Sequence, residues 1–284
     1  MNWARDVEYR RKPNTANRIK TSFATLVPFF GEKMVNEITP GDIEDFKEWR
    51  ITVHGVRDVT IRHGLLNLSV AFRKYFLKHG WSERNPVAEV TKPSDADAIR
   101  MTILTAEEEQ TYFETARGKP NLHDVGRLMI LQGCRPEEIM SLEQSAIDLA
   151  RGQLHIRGGK SRAARRSLDL VGESTEILTR RLQYPNRWVF PSPRYPGSHM
   201  TRLNNQHDNV CREAGVSFVL YDLRHTFAAR MVEAGCDLPT LAAILGHSGL
   251  RMVMRYVHPT AQHQKEAMRK YEKMLRPRLK VVGE

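Results

Sequence analysis

YDLRHTFAARMVEAG, residues 221–235, carries Leu223, Phe227 and Met231 at intervals of four, the spacing of the buried face of an α-helix. Arg224 stands one position off that face, at the helix N-terminus. The helix macrodipole disfavours a cation there, so its placement implies a compensating anion nearby. His225 by itself reads as a hydrogen-bonded structural histidine.

Three further stretches combine special backbone with reactive side chains. In LAAILGHSGLRMVMRYVHP, 241–259, Gly246 ends one helix, His247 follows in the turn, and Tyr256 lies nine residues later. Tyr256 shares a helical face with Met252 and Val253 and taken alone reads as a core tyrosine. In LQGCRPEEIMSL, 131–142, Gly133 permits a close backbone approach, and Arg135 starts a helix with Glu138 one turn on. In IRGGKSRAARRSLDL, 156–170, Arg157, Lys160, Arg162, Arg165 and Arg166 crowd a hairpin turn with no acidic residue before Asp169. That run suits contact with phosphates.

Around these pieces the chain reads as mainly α with a small antiparallel β-sheet. Apolar spacing predicts helices over 14–29, from an N-cap at Thr39 through Trp49, and over 59–79, stopping at Gly80. The polar, Pro-containing segment TKPSDADAIR, 91–100, is the natural linker; the expected division is 1–92, a linker at 93–100, and 101–284. Thr105 and Glu108 form a capping-box signature. Helices are then expected through Tyr112 and Phe113, across 125–132, and after Pro136. Alternation at 153–157 and 166–170 predicts a hairpin about Gly158 and Gly159. Helices at about 200–214, 222–234, 238–245, 250–257 and 260–275 complete the reading.

The net charge of +11 and pI of 9.7 suggest a polyanionic partner, and both sides of the linker are basic. No apolar run reaches membrane-spanning length, so no membrane partner is expected. The start, MNWARDVEYRRKPN, lacks the apolar core of a signal peptide, which predicts a cytoplasmic protein. Cys134, Cys211 and Cys236 fit no zinc spacing or disulfide framework.

In this order and spacing the four pieces closely resemble the signature of the tyrosine recombinase (phage integrase) family, across essentially the whole chain. The family pattern is an Arg in G-x-R-x-x-E, a hairpin Lys, an H-x-L-R-H box, a later His or Trp, and a Tyr nine residues on. Gly133, Arg135 and Glu138, then Lys160, Leu223-Arg224-His225, His247 and Tyr256 occupy those positions. The resemblance implies a helical core-binding (SAM-like) DNA-binding domain before an α+β catalytic domain. It implies a site-specific recombinase that cleaves and rejoins DNA through a 3′-phosphotyrosine on Tyr256.

The residue types suit that chemistry. A phenol conserves the phosphodiester bond as a covalent intermediate and is itself a workable leaving group. Arg135 and Arg224 would clamp the phosphate charge with planar donor forks. Lys160 would protonate the departing 5′ hydroxyl, and His247 would bind the phosphate or position Tyr256. Glu138 would orient Arg135 or His247. No metal or other cofactor is called for, because the two guanidiniums supply positive charge.

One position departs from the pattern: where the family usually has a His, three residues before Arg224, this chain has Tyr221. A phenol is a poor base at neutral pH, so Tyr221 reads as an altered second-rank or phosphate contact. It keeps open a second reading, a DNA-binding relative with weak or no strand exchange. With 13 residues before Asn14, no additional N-terminal domain is expected. The expected partners are double-stranded DNA with short inverted repeats and other copies of the chain, as a tetramer on DNA in a prokaryotic nucleoid.

Overall fold

The computed structural model describes residues 13–94, 101–159, 162–257, 265 and 268–275. The chain divides into two compact units between Arg100 and Met101.

The first unit is helical. Helix α1 spans Pro13–Phe30, α2 Pro40–Thr52 and α3 Asp58–Ala71. Thr39 caps α2 reciprocally: its hydroxyl accepts from the Asp42 amide, and the Asp42 carboxylate accepts from the Thr39 amide. Such a cap contributes about 1 kcal/mol. The helix expected over 59–79 is α-helical to Ala71 and then widens into a π turn, Phe72–Phe76. Leu26, Phe30, Ile43, Phe46, Ile61, Leu65, Leu68 and Phe72 form the core.

The second unit holds α4 (Ala106–Ala116), α5 (Pro120–Gln132), α6 (Pro136–Met140), β1 (Ile147–Asp148), β2 (Gln153–Ile156), β3 (Arg166–Asp169), α7 (Gly172–Leu182), α8 (Asn204–Ala214), α9 (Asp222–Glu233) and α10 (Leu238–Leu245). The Thr105–Glu108 capping box forms as expected. The strands make an antiparallel sheet in the order β1-β2-β3, with Ile156 opposite Arg166. Leu154, Ile156 and Leu168 turn into the core with Tyr112, Leu122, Met129, Ile139 and Phe190. The β2–β3 connection runs over 157–165 and includes a 3-10 turn, Arg162–Ala164, so it is longer than a tight hairpin turn.

Among the described strands and α-helices, β1 and α7 have no counterpart in the sequence pattern. β1 is only two residues long, and α7 begins at Val171-Gly172 with no side-chain cap to announce it. A third element changes type: residues 250–257 form two 3-10 turns, Leu250–Met252 and Met254–Tyr256, in place of one α-helix. Val253 and Tyr256, both buried, are three residues apart, the period at which 3-10 side chains eclipse. Of the helix expected over 260–275, Lys265 and residues 268–275 are helical; the rest lies outside the described residues.

Candidate active site

Five segments of the second unit meet at one place because two helices end there in glycine. Gly133 closes α5 at φ +62° and Gly246 closes α10 at φ +66°, the left-handed region in which glycine is least strained. Both are also sites of close approach. A Cβ on Gly133 would lie 2.4 Å from the Phe227 ring of α9, and one on Gly246 would lie 2.9 Å from Nη1 of Arg166 and 3.1 Å from the Ala163 carbonyl.

Arg224, in the first turn of α9, is wholly buried at 0 % exposure. Its Nη1 donates to the Gly133 carbonyl at 2.7 Å and its Nη2 to the Leu245 carbonyl at 2.6 Å. These oxygens belong to the C-terminal ends of α5 and α10, where carbonyls lack helical partners and the macrodipole is negative. The anion expected beside Arg224 is thus largely two helix C-termini, with the Glu138 carboxylate 3.9 Å away. Burial lowers the Arg224 pKa, but a guanidinium stays protonated. Its Nε is buried without a hydrogen-bond partner.

Arg135 opens α6. Its amide donates to Oε2 of Glu138 at 2.9 Å, its Nη1 to Oε1 at 2.6 Å, and its Nη2 to the Gly246 carbonyl at 3.4 Å. Glu138 also accepts from both Nη atoms of Arg166, at 3.2 and 2.9 Å. Burial pushes the Glu138 carboxyl upward, but Arg166 and Arg135 outweigh it and hold it below the usual carboxylate range. Three guanidiniums therefore surround one carboxylate, leaving a positive surplus suited to a phosphate. Burial likewise works against the Arg135 charge; Glu138 and Tyr221 more than offset it, so its pKa is raised.

His247 follows Gly246, and its Nε2 lies 3.0 Å from Nη2 of Arg224. Because the guanidinium only donates, Nε2 accepts and the ring proton belongs on Nδ1, which is buried without a partner. Burial, then Arg224, Arg135, Arg255 and Arg166, push its pKa down to about 4. His247 is therefore neutral at physiological pH. It orders against Arg224, while Tyr256 is engaged elsewhere.

Tyr256 is 5 % exposed and packs with Ala228, Leu241, Leu245 and Val253. Its Oη lies 2.7 Å from Nδ1 of His225, the residue after Arg224. Burial raises the phenol pKa, while Arg224 and Arg255 pull against that rise. His225, which its local sequence alone presents as a structural histidine, therefore stands in the site. The available signal was its place as the second His of the H-x-L-R-H box. Tyr221 occupies the N-cap position of α9 without a side-chain capping bond; its ring meets His225 edge-on at 5.1 Å, and the Arg224 guanidinium carbon lies 5.8 Å from its centre.

The structure thus brings together Arg135, Glu138, Tyr221, Arg224, His247 and Tyr256. Lys160 lies outside the described residues. Arg157 and Arg165 border an open cavity of about 470 Å³ along the hairpin, together with His155, Ile156, Arg166 and Ser167; Arg162 is exposed. Arg157 is anchored to Ser145 through its hydroxyl (3.2 Å) and carbonyl (2.8 Å). Arg166 departs from the expectation of a groove-facing cation. Its side chain is 7 % exposed and turns inward to Glu138 and to the Ile244 carbonyl at 2.5 Å. A strand position opposite buried Glu138 draws the guanidinium to the carboxylate, away from solvent. Among the described residues, no group of three or more His, Cys, Asp or Glu side chains is placed to hold a metal ion.

Residues 103–263 match the model of the phage integrase family. A putative integrase of Pseudomonas phage Pf1 is 27 % identical over 230 residues, covering 78 % of this chain and 64 % of that protein, so the chain spans under two thirds of that relative. Tyrosine recombinase XerA of Pyrococcus furiosus is 30 % identical over 223 residues, covering 72 % of each. The fold is also that of lambda integrase, solved as a tetramer bound to a Holliday junction, with a TM-score of 0.76 at 18 % identity over 90 % of this chain and 75 % of that one. The chain belongs to the phage integrase family of tyrosine recombinases, enzymes that cleave and rejoin DNA through a tyrosine intermediate.

Proposed function

We propose that this chain is a site-specific DNA recombinase in which Tyr256 attacks the scissile phosphate and holds it as a 3′-phosphotyrosine. The supporting observation is that Arg135, Arg224, His247 and Tyr256, drawn from separate segments, gather around one electropositive point. Arg135 and Arg224 stabilise the charge that develops on the non-bridging oxygens. Lys160 protonates the departing 5′ oxygen. The unpartnered Nδ1–H of His247 is a donor for the phosphate. Arg157, Arg162 and Arg165 hold the duplex through its backbone, and residues 1–92 form the helical core-binding domain on the other side of the 93–100 linker.

The substrate would be a duplex with short inverted repeats, bound by a tetramer, in the nucleoid of a prokaryotic cytoplasm; the lambda integrase tetramer supports the assembly. No described helix is long and apolar enough to cross a membrane.

A nicked suicide duplex made from the DNA flanking the gene tests this reading. The wild type should leave a protein-shifted covalent band, Tyr256→Phe none, and Tyr221→Phe a reduced but measurable one. An adduct formed by Tyr256→Phe and lost in Tyr221→Phe would overturn the assignment.

A further inference from the structure

The geometry points to His225 as the catalytic base that takes the proton of Tyr256, in a site where position 221, usually a histidine in the family pattern, carries a phenol. This rests on the reading of Tyr256 as nucleophile.

Tyr221 and His225 are four residues apart, one turn along the start of α9, so the same side of the helix presents both. With a phenol at 221, the turn below carries the imidazole, and its Nδ1 is 2.7 Å from the reacting oxygen. That is the range required of a base toward the proton it removes. Tyr221 instead buttresses the imidazole edge-on. The other candidate bases are engaged: Glu138 by Arg135 and Arg166, and Nε2 of His247 by Arg224.

The groups that face the imidazole are Tyr221, Asp222 and Arg224 from its own helical end and Arg255 and Tyr256 from the 3-10 turn. Burial lowers the His225 pKa below the ordinary value; Asp222 opposes this, and Arg255 and Arg224 add to it. The ring is therefore unprotonated near neutrality. The same two arginines favour the phenolate once a base has drawn off the proton.

The step balances. The Oη proton of Tyr256 passes to Nδ1 of His225 while the oxygen lone pair forms the bond to phosphorus. The P–O5′ bond breaks, its electron pair stays on O5′, and Lys160 supplies that oxygen's proton. On resealing the 5′ hydroxyl attacks and gives its proton back to Lys160, while the imidazolium returns the other proton to the departing phenol.

The test uses the full chain with His225→Asn, whose amide oxygen can hold the hydroxyl near the Nδ1 position but takes no proton. On the nicked duplex, adduct formation should fall by about 10²-fold or more with DNA binding retained. A bridging 5′-phosphorothiolate should not rescue it, because sulfur leaves without protonation and so relieves a missing acid, not a missing base. Imidazole should restore part of the rate to His225→Ala. In the free protein, ¹⁵N shifts should show Nδ1 of His225 unprotonated. Cleavage by His225→Asn within about threefold of wild type, rescue by the phosphorothiolate, or an Nδ1–H tautomer donating to Tyr256 would each overturn the proposal. An adduct in Tyr256→Phe would instead sink the nucleophile assignment beneath it.

Discussion

Arg224 and His247, 23 positions apart, meet at 3.0 Å with the guanidinium donating to a neutral imidazole. The contact makes the site sensitive to acid. The His247 pKa falls from 6.5 to about 4 on folding, so between those values the unfolded chain binds more protons and stability drops as pH falls. His247→Gln keeps an acceptor for Arg224 but does not titrate. Urea unfolding at pH 7 and pH 5 should show a smaller acid loss for His247→Gln than for wild type; equal losses would contradict the neutral imidazole.

Arg224→Lys keeps the charge and loses the fork that joins the ends of α5 and α10. Adduct formation should fall by roughly 10²–10³-fold, the cost of removing one oxyanion donor, with gel-shift affinity reduced much less. A rate within tenfold of wild type would show that charge alone suffices.

Glu138 holds Arg135 and Arg166 from a position 8 % exposed. Glu138→Ala leaves two buried or half-buried guanidiniums without their carboxylate and should cost about 3–5 kcal/mol in denaturant melts. The lowered Glu138 pKa adds stability above the unfolded carboxylate range that is lost as pH falls through its folded value. The deficit of the variant should therefore shrink in acid.

Arg157 and Arg166 should separate cleanly. Arg157→Ala should lower the slope of log affinity against log salt by about 1, as for one lost phosphate contact. Arg166→Ala, whose charge is spent on Glu138, should instead lower the melting temperature and leave the slope nearly unchanged. Both proteins can be followed by fluorescence anisotropy between low and moderate salt.

Gly133→Ala imposes a left-handed residue, at about 1–2 kcal/mol, and drives a Cβ into Phe227. Its melting temperature should fall by several degrees. Phe227→Leu in the same chain should recover only part of that loss, because φ +62° remains.

Much of this protein is local and therefore legible along the chain. Thr39 with Asp42 and Thr105 with Glu108 announce helix starts because a cap is made within three residues, and Gly133 and Gly246 announce ends because their φ is set by their own backbone. The four reactive pieces and their spacing are readable for the same reason, as is the alternation of the two hairpin strands. Residues 250–257 were not: a pattern three residues long fits a 3-10 turn and an α-helix alike, and tertiary packing of Val253 and Tyr256 chose between them.

The sequence by itself determined which side chains are present, their order, and which sit at helix ends. Only the tertiary structure decided what each one touches. Arg224 is tolerated in the interior because carbonyls 91 and 21 positions away meet it, Arg166 turns inward because Glu138 waits 28 positions upstream, and His225 reaches Tyr256 across 31. Caps and periodicity act over one turn of chain, whereas these partners are joined by the burial of a common core.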